Sequence, residues 1–168
     1  MCVVISIKVP ETVAKRLRSL GVDIESRVID ILLKQLGLNP DEETRIHIEL
    51  AKDFLEKGKE FVHRDPTQAS EKLYKAVEEC IKALTIHFKL GDILKKVRDR
   101  GRWTVTDLEK ASQMISDKIG AWFYDAWDHA WILHVWGFHE VKLDVEAVKR
   151  RLPYIERVVK ETEQITSP

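Results

Sequence analysis

The segment that most constrains the fold is WFYDAWDHAWILHVWGFHE, from Trp122 to Glu140. It holds four of the five Trp and three of the six His of the chain. Indole rings bury large areas, so a segment this rich in them belongs in a core. Trp127 and Trp131 lie one helical turn apart and are predicted to share an inward face. The segment therefore predicts a buried helix, which we expect to run from Trp122 to about Val135.

The three histidines of this segment are candidates for site chemistry. On an α-helix His129, His134 and His139 step round the axis by about 140° each, so one metal ion could not bind all three. Asp125 and His129 share a face, but no pattern in the sequence names a third metal ligand. The sequence therefore predicts no metal site and no cofactor. The simpler interpretation is a set of core imidazoles bonded to neighbouring carbonyls or carboxylates.

The apolar pattern from residue 39 onwards has helical spacing throughout. Apolar stripes predict a hairpin of two antiparallel helices between Ala51 and Leu84, followed by a helix that Thr104 caps. Asp144 is expected to cap the last helix, which Pro153 should interrupt or kink. The predicted fold class is all-α, with a helical bundle over residues 39–168.

The first 38 residues form a separate segment in this prediction. Residues 3–9 (VVISIKV) alternate and predict a strand that ends at Pro10, followed by a helix to Leu20 and a second helix that Asp23 caps. A lone strand needs a partner for its backbone groups, and the same strand of a second copy can supply it. We therefore expect a homodimer.

This strand-helix-helix order resembles a ribbon-helix-helix DNA-binding unit, whose outward strand side chains enter the major groove. The outward side chains here would be Val4, Ser6 and Lys8, and only one of them is charged. A dimerisation arm or a degenerate repressor unit is the favoured interpretation.

The composition excludes several classes of protein. Of 168 residues 44% are hydrophobic and 33% charged, with 28 basic and 28 acidic side chains, so no global field attracts nucleic acid or acidic lipid. No apolar run approaches the roughly 18 residues of a membrane span, and the expected location is the cytoplasm. One Asn, four Gln and many charged residues are typical of proteins from hot environments.

One local cluster is strongly basic despite the neutral total charge. It precedes the helix that Thr104 caps, has Trp103 beside it, and consists of Lys95, Lys96, Arg98, Arg100 and Arg102. Cations next to an aromatic ring suit phosphate contact and base stacking. The alternative is a solvated surface segment balanced by Asp92, Asp99 and Asp107.

Three stretches carry a resemblance to a known family: LEKGKEFVHRDPTQASEKLYKAVEECIKAL, GRWTVTDLEKAS and WDHAWILHVWGFHE. They resemble the archaeal PaREP family over about residues 43–165. That family is similar to the HEPN superfamily, which implies an up-and-down bundle of four to five helices that often dimerises. The resemblance also implies RNA or nucleotide binding, a nucleotidyltransferase-type partner, or a place in a toxin-antitoxin or defence pair.

Active ribonucleases of the HEPN superfamily carry an Arg a few residues ahead of a His on a late helix. Here Asp128 stands where that Arg is expected ahead of His134, and no Arg occurs between Arg102 and Arg150. His134, with weaker contributions from His129 and Asp128, is the catalytic candidate. Without the Arg, the developing charge on phosphate is not compensated. The resemblance therefore favours a module that does not cleave RNA.

Three functions stay open at this point. The favoured one is a non-catalytic RNA- or nucleotide-binding module. The second is a protein-protein interaction module, because the hairpin from Ala51 to Leu84 resembles a tetratricopeptide unit, although no second copy of that unit follows. The third is a weak, metal-independent ribonuclease that uses His134.

Overall fold

The computed structural model describes residues 3–19 and 24–167 and divides the chain into two compact units, Met1–Asn39 and Pro40–Pro168. Its regular structure in the described residues is helical, with no strand, so the predicted all-α class is confirmed. None of the described helices is long and apolar enough to cross a membrane.

The N-terminal unit contains helices α1 (Glu11–Ser19) and α2 (Ile24–Leu36). Residues 3–10 belong to neither a helix nor a strand, so the predicted strand is not confirmed. A strand forms only where a neighbour pairs with its backbone groups, and the single chain supplies no such neighbour among the described residues. The predicted helix end at Leu20 and the predicted cap at Asp23 lie outside the residues described.

The second unit is a helical bundle. Its elements in chain order are α3 (Pro40–Phe61), α4 (Pro66–His87), α5 (Gly91–Arg100), α6 (Val105–Ile119), α7 (Trp122–Ile132), a π-helix (Leu133–His139) and α8 (Val145–Thr166). The bundle is larger than the four to five helices that we expected.

Side chains cap the starts of α4, α6 and α8. Asp65 accepts a hydrogen bond from the Gln68 amide at 3.0 Å and opens α4, while Asp144 accepts one from the Ala147 amide at 2.8 Å and opens α8. Thr104 and Asp107 form a reciprocal capping box at the start of α6. These local bonds satisfy amides that a helix start leaves without partners.

Helix α4 is the centre of the bundle. It forms the predicted antiparallel hairpin with α3 and also packs against α8, the π-helix, α6 and α7. Fifteen of its 22 residues are buried, so it is enclosed on several sides. The hairpin is therefore the core of the bundle rather than the open wall of a solenoid groove, which counts against the tetratricopeptide interpretation.

The segment rich in Trp and His does not follow the predicted α-helix to about Val135. Helix α7 ends at Ile132, and residues 133–139 continue as a π-helix. Gly137 lies against α4, where an added Cβ would stand 2.3 Å from Oγ of Ser70. Glycine therefore allows the π-helix backbone to approach α4 closely. Short π-helices are rare and often occur at functional sites.

Of the predicted interruption or kink at Pro153, the interruption is wrong, because α8 is one helix from Val145 to Thr166. Pro153 lies on the exposed side of α8. The carbonyl that loses its amide partner there can be solvated, so the helix continues through the proline.

A group of charged side chains lies inside the hairpin. Lys82 is 1% exposed, and its Nζ atom lies 3.0 Å from Oε1 of Glu78 and 2.8 Å from Oε1 of Glu79. Oε2 of Glu79 lies 2.6 Å from Nδ1 of His47 on α3, and Oε2 of Glu78 lies 3.1 Å from Nζ of Lys75. Every charge in this group has an oppositely charged or hydrogen-bonding neighbour, as burial requires.

The pKa of Glu79 depends on both its burial and its charged neighbours. Burial by itself raises the pKa of the carboxyl, but the Lys82 ammonium and the hydrogen bond with His47 outweigh burial and lower the pKa from 4.5 to about 2. The carboxylate is therefore kept charged in the folded protein.

We expect Gly137→Ala to destabilise the bundle by about 1 to 3 kcal/mol, because its Cβ would overlap Ser70. The matched control is Gly91→Ala at the start of α5, where an added Cβ meets nothing within 4 Å. That change should stay within about 0.5 kcal/mol. Urea denaturation of both variants measures the difference, and equal stabilities would contradict the close approach.

We expect the buried charges to make the free energy of unfolding depend on pH in the acidic range. Because the pKa of Glu79 is lowered on folding, its contribution is present above about pH 4.5 and is lost as the pH falls toward about 2. Glu79→Gln should cost about 3 to 5 kcal/mol at neutral pH, because it removes one partner of buried Lys82. Urea denaturation measures the free energy of unfolding of both proteins. The difference between wild type and Glu79→Gln should become smaller as the pH is lowered from about 4.5 to about 2. A difference in free energy of unfolding that does not change with pH would contradict this account.

Candidate functional site

His134 lies on the π-helix and faces α4. Its Nδ1 atom lies 2.8 Å from Oε2 of Glu71, and its ring stacks on Tyr74 with centroids 4.1 Å apart. A carboxylate accepts hydrogen bonds and does not donate them, so Glu71 favours the tautomer in which Nδ1 carries the proton. The Nε2 atom of His134 then keeps its lone pair. This arrangement suits a base or a metal ligand.

A second imidazole reaches that lone pair. Nε2 of His139 lies 3.2 Å from Nε2 of His134, and His139 is exposed to solvent. A π-helix makes hydrogen bonds between residues five apart, such as the 2.9 Å bond from the Glu140 amide to the Val135 carbonyl. Residues 134 and 139 therefore lie on nearly one face of the π-helix. On an α-helix they would be separated by about 140°.

The inner side of this histidine pair is aromatic. Trp127 is 1% exposed, and its ring centroid lies 6.0 Å from that of the partly buried Trp131 and also 6.0 Å from that of Tyr74. The predicted shared face of Trp127 and Trp131 is confirmed. Trp127 Nε1 and the Tyr124 hydroxyl both donate to the carboxylate of Glu109. Burial raises the pKa of the Tyr74 hydroxyl well above its ordinary range, which keeps it neutral.

The other two catalytic candidates have different neighbours from His134. His129 stacks on Tyr154 of α8 with ring centroids 3.8 Å apart, and its pKa is lowered by burial first and by the nearby Arg151 second. Asp128 is exposed, and its charge acts on His129 and Tyr124. His129 and His134 thus face different helices, and the structure does not gather the three candidates into one site.

Two residues of the histidine site were not among the sequence candidates. Glu71 and Tyr74 lie one turn apart in the stretch ASEKLYK of α4, and both contact His134. Their spacing of three residues on a helix places them on one face. Nothing in the sequence shows that this face meets the π-helix, since the contact depends on Gly137 and Ser70.

The basic cluster is only partly available for binding. The Arg100 guanidinium lies 2.5 Å from Oδ2 of Asp107, inside the capping box of α6. Burial raises the pKa of the Asp107 carboxyl, but Arg100 and Thr104 outweigh burial and lower it. Arg100 is therefore a structural residue. The other four cations are exposed and have no ion pair within the described part of the chain: Lys95, Lys96, Arg98 and Arg102.

Trp103 does not stand free beside these cations. Its side chain is partly buried and packs against the hydrophobic core. The ring therefore anchors the start of α6, and base stacking on Trp103 stays a prediction.

The described residues include no group of three or more His, Cys, Asp or Glu side chains that could hold a metal ion. Cys80 is a buried free thiol, and burial raises its pKa to about 12, so it is not a reactive thiolate.

The bundle is similar to structures that have been solved. A crystal structure of a protein from Sulfolobus solfataricus is 36% identical, with a TM-score of 0.65, over 68% of this chain and 94% of that chain. A solution structure of the same structural-genomics target, the Orf c02003 protein, is 35% identical, with a TM-score of 0.55, over 73% of this chain and 89% of that chain. No curated protein matches the chain.

The family model that matches this chain covers most of the helical bundle. It is the model of the archaeal PaREP1/PaREP8 family, and it spans residues 46–159, from α3 into α8. The match includes the hairpin, the basic cluster and the histidine pair. This chain therefore belongs to the archaeal PaREP1/PaREP8 family.

Proposed function

We propose that this chain is a non-catalytic module that binds RNA or a nucleotide through exposed cations of α5 and of the turn that follows it. The observation that carries the proposal is a set of four exposed cations without carboxylate partners in the described residues: Lys95, Lys96, Arg98 and Arg102. Exposed arginines and lysines that make no ion pair within the protein can bind phosphate without first losing such a pair.

The total charge of the chain supports a local interaction rather than a general one. With 28 basic and 28 acidic side chains the protein has no long-range attraction for polyanions. Binding through α5 would therefore be short-ranged and of modest affinity. The resemblance to the HEPN superfamily adds a nucleotidyltransferase-type partner and a toxin-antitoxin or defence pair as further predictions.

We expect single-stranded RNA to bind with an affinity that falls steeply with salt. Reversing Lys95, Arg98 and Arg102 to Glu should weaken binding at least about tenfold and reduce the slope of log affinity against log salt by about 2, since each lost phosphate contact contributes about 0.7. Fluorescence anisotropy with a labelled oligonucleotide at several salt concentrations measures both quantities.

The control for this experiment is a triple reversal with the same change in charge on other elements: Arg45, Lys149 and Lys160 to Glu. These three cations are exposed and lie on α3 and α8. Equal losses in both triple variants would show only a response to total charge and would contradict a site on α5, as would an affinity that does not depend on salt.

The bond between Glu71 and His134 specifically favours a second candidate, a metal-independent ribonuclease. A carboxylate that holds Nδ1 protonated leaves Nε2 able to take a proton from a ribose hydroxyl. No arginine is among the described contacts of His134, so the charge that develops on phosphate would lack a compensating cation.

We therefore expect purified protein to leave single-stranded RNA intact. The assay follows a labelled oligonucleotide in the presence of a chelator, with His134→Ala and the exposed His63→Ala in parallel. Cleavage that persists in chelator and falls about a hundredfold or more only in His134→Ala would contradict the non-catalytic proposal and establish the second candidate.

The exposed apolar residues of the N-terminal unit favour a second copy of the chain as a binding partner. Helix α1 has no buried residue, and the large apolar side chains of residues 3–9 are mostly exposed to solvent, with Val4 93% and Ile5 82% exposed. An alternating apolar segment with unpaired backbone groups is suited to antiparallel pairing with its own copy. We propose that this pairing forms the homodimer.

We expect deletion of residues 1–10 to weaken self-association, because it removes the segment that would pair. Light scattering over a range of concentrations measures the mass of both proteins. A matched variant, Ile5→Lys with Ile7→Lys, keeps the full length and should weaken association as well. A deletion variant with the same mass as the full chain at every concentration would contradict pairing through this segment.

A further inference from the structure

The pair of imidazoles on the π-helix has a geometry that goes beyond RNA binding. Nε2 of His134 and Nε2 of His139 lie 3.2 Å apart. Two imidazole nitrogens at this separation subtend about 100° at an ion that lies about 2.0 to 2.1 Å from each, which is close to the tetrahedral angle of zinc sites. The distance therefore suits two ligands of one metal ion as well as it suits a hydrogen bond.

The carboxylate behind His134 provides a second, independent feature of such a site. Oε2 of Glu71 lies 2.8 Å from Nδ1 of His134, on the side of the ring away from His139. Histidines that bind metals almost always donate their other ring N–H to a carboxylate, a carbonyl or water. Glu71 fixes the tautomer in which Nε2 has the free lone pair, and the stacked Tyr74 fixes the ring plane.

The site is open to solvent on the His139 side. His139 is exposed, so water or an oxygen atom of a bound molecule can reach an ion that His139 holds. The described residues supply no set of three His, Cys, Asp or Glu ligands, so the ion must complete its coordination in this way.

We propose that His134 and His139 form a two-imidazole site for a late first-row divalent metal ion such as Ni²⁺, Zn²⁺ or Cu²⁺, with Glu71 as the positioning carboxylate. Imidazole nitrogen is a preferred ligand of these ions, whereas Mg²⁺ and Ca²⁺ require oxygen ligands. In the metal-free protein the Nε2–H of one neutral imidazole can donate to Nε2 of the other. To bind an ion through both Nε2 atoms, the donating ring must carry its proton on Nδ1 instead.

The test uses the full chain without an affinity tag, titrated with NiCl₂ in a calorimeter. We expect one saturable site per chain in wild type. His139→Ala changes an exposed side chain and should weaken Ni²⁺ binding at least about tenfold, because one of two protein ligands is lost. Glu71→Gln should weaken it by about 10- to 100-fold, the usual effect of removing a carboxylate behind a metal-binding histidine.

His63→Ala is the matched control, since His63 is an exposed imidazole that lies outside the site. It should bind Ni²⁺ as wild type does. The proposal is supported when binding is lost in His139→Ala and kept in His63→Ala, and when MgCl₂ gives no saturable heat. It is overturned when wild type has no saturable Ni²⁺ site, or when His139→Ala binds Ni²⁺ as tightly as wild type.

Discussion

The bundle depends on the neutralisation of one buried cation. Lys82 is 1% exposed in the middle of α4 and lies between Glu78 and Glu79, while His47 holds Glu79 from α3. Removing a charge from water costs several kcal/mol, so a helix with these residues can be enclosed only when each charge meets its partner. The ion group therefore also fixes how α3 lies against α4, because one alignment brings His47 to Glu79.

Because each buried charge needs a partner, α4 has a polar side within an apolar core. The same side of α4 also contacts the histidine pair. Glu71 and Tyr74 lie one to two turns before Glu78 on the same helix. Glu71 contacts His134 because the π-helix packs directly on α4, where Gly137 meets Ser70. The position of one glycine thus decides which carboxylate meets which imidazole, and the chemistry of the pair follows from backbone packing.

The sequence was sufficient for much of the bundle, because its signals there are local. Caps such as Thr104 and Asp144 and the apolar stripes of α3 and α4 predict helix starts and faces from neighbouring residues alone. The π-helix was missed because α-helical spacing was assumed for the whole of the segment rich in Trp and His. The buried charges were missed because Glu78, Glu79 and Lys82 are typical surface residues. Their partners lie on their own helix and on another, and pairing between helices has no local signature.

The histidine pair and the basic cluster differ in how firmly their side chains are held. They are therefore suited to two different kinds of binding. The cations of α5 lie on an exposed helix surface, so their interaction with phosphate would be electrostatic and sensitive to salt. His134 is held by Glu71 and Tyr74 against the core, so the lone pair of its Nε2 atom has a defined direction. A directed lone pair recognises a ligand by geometry and a mobile ammonium or guanidinium recognises it by charge. A ligand that required both would therefore have to contact two elements that are far apart in sequence, and its affinity would depend on the bundle being folded.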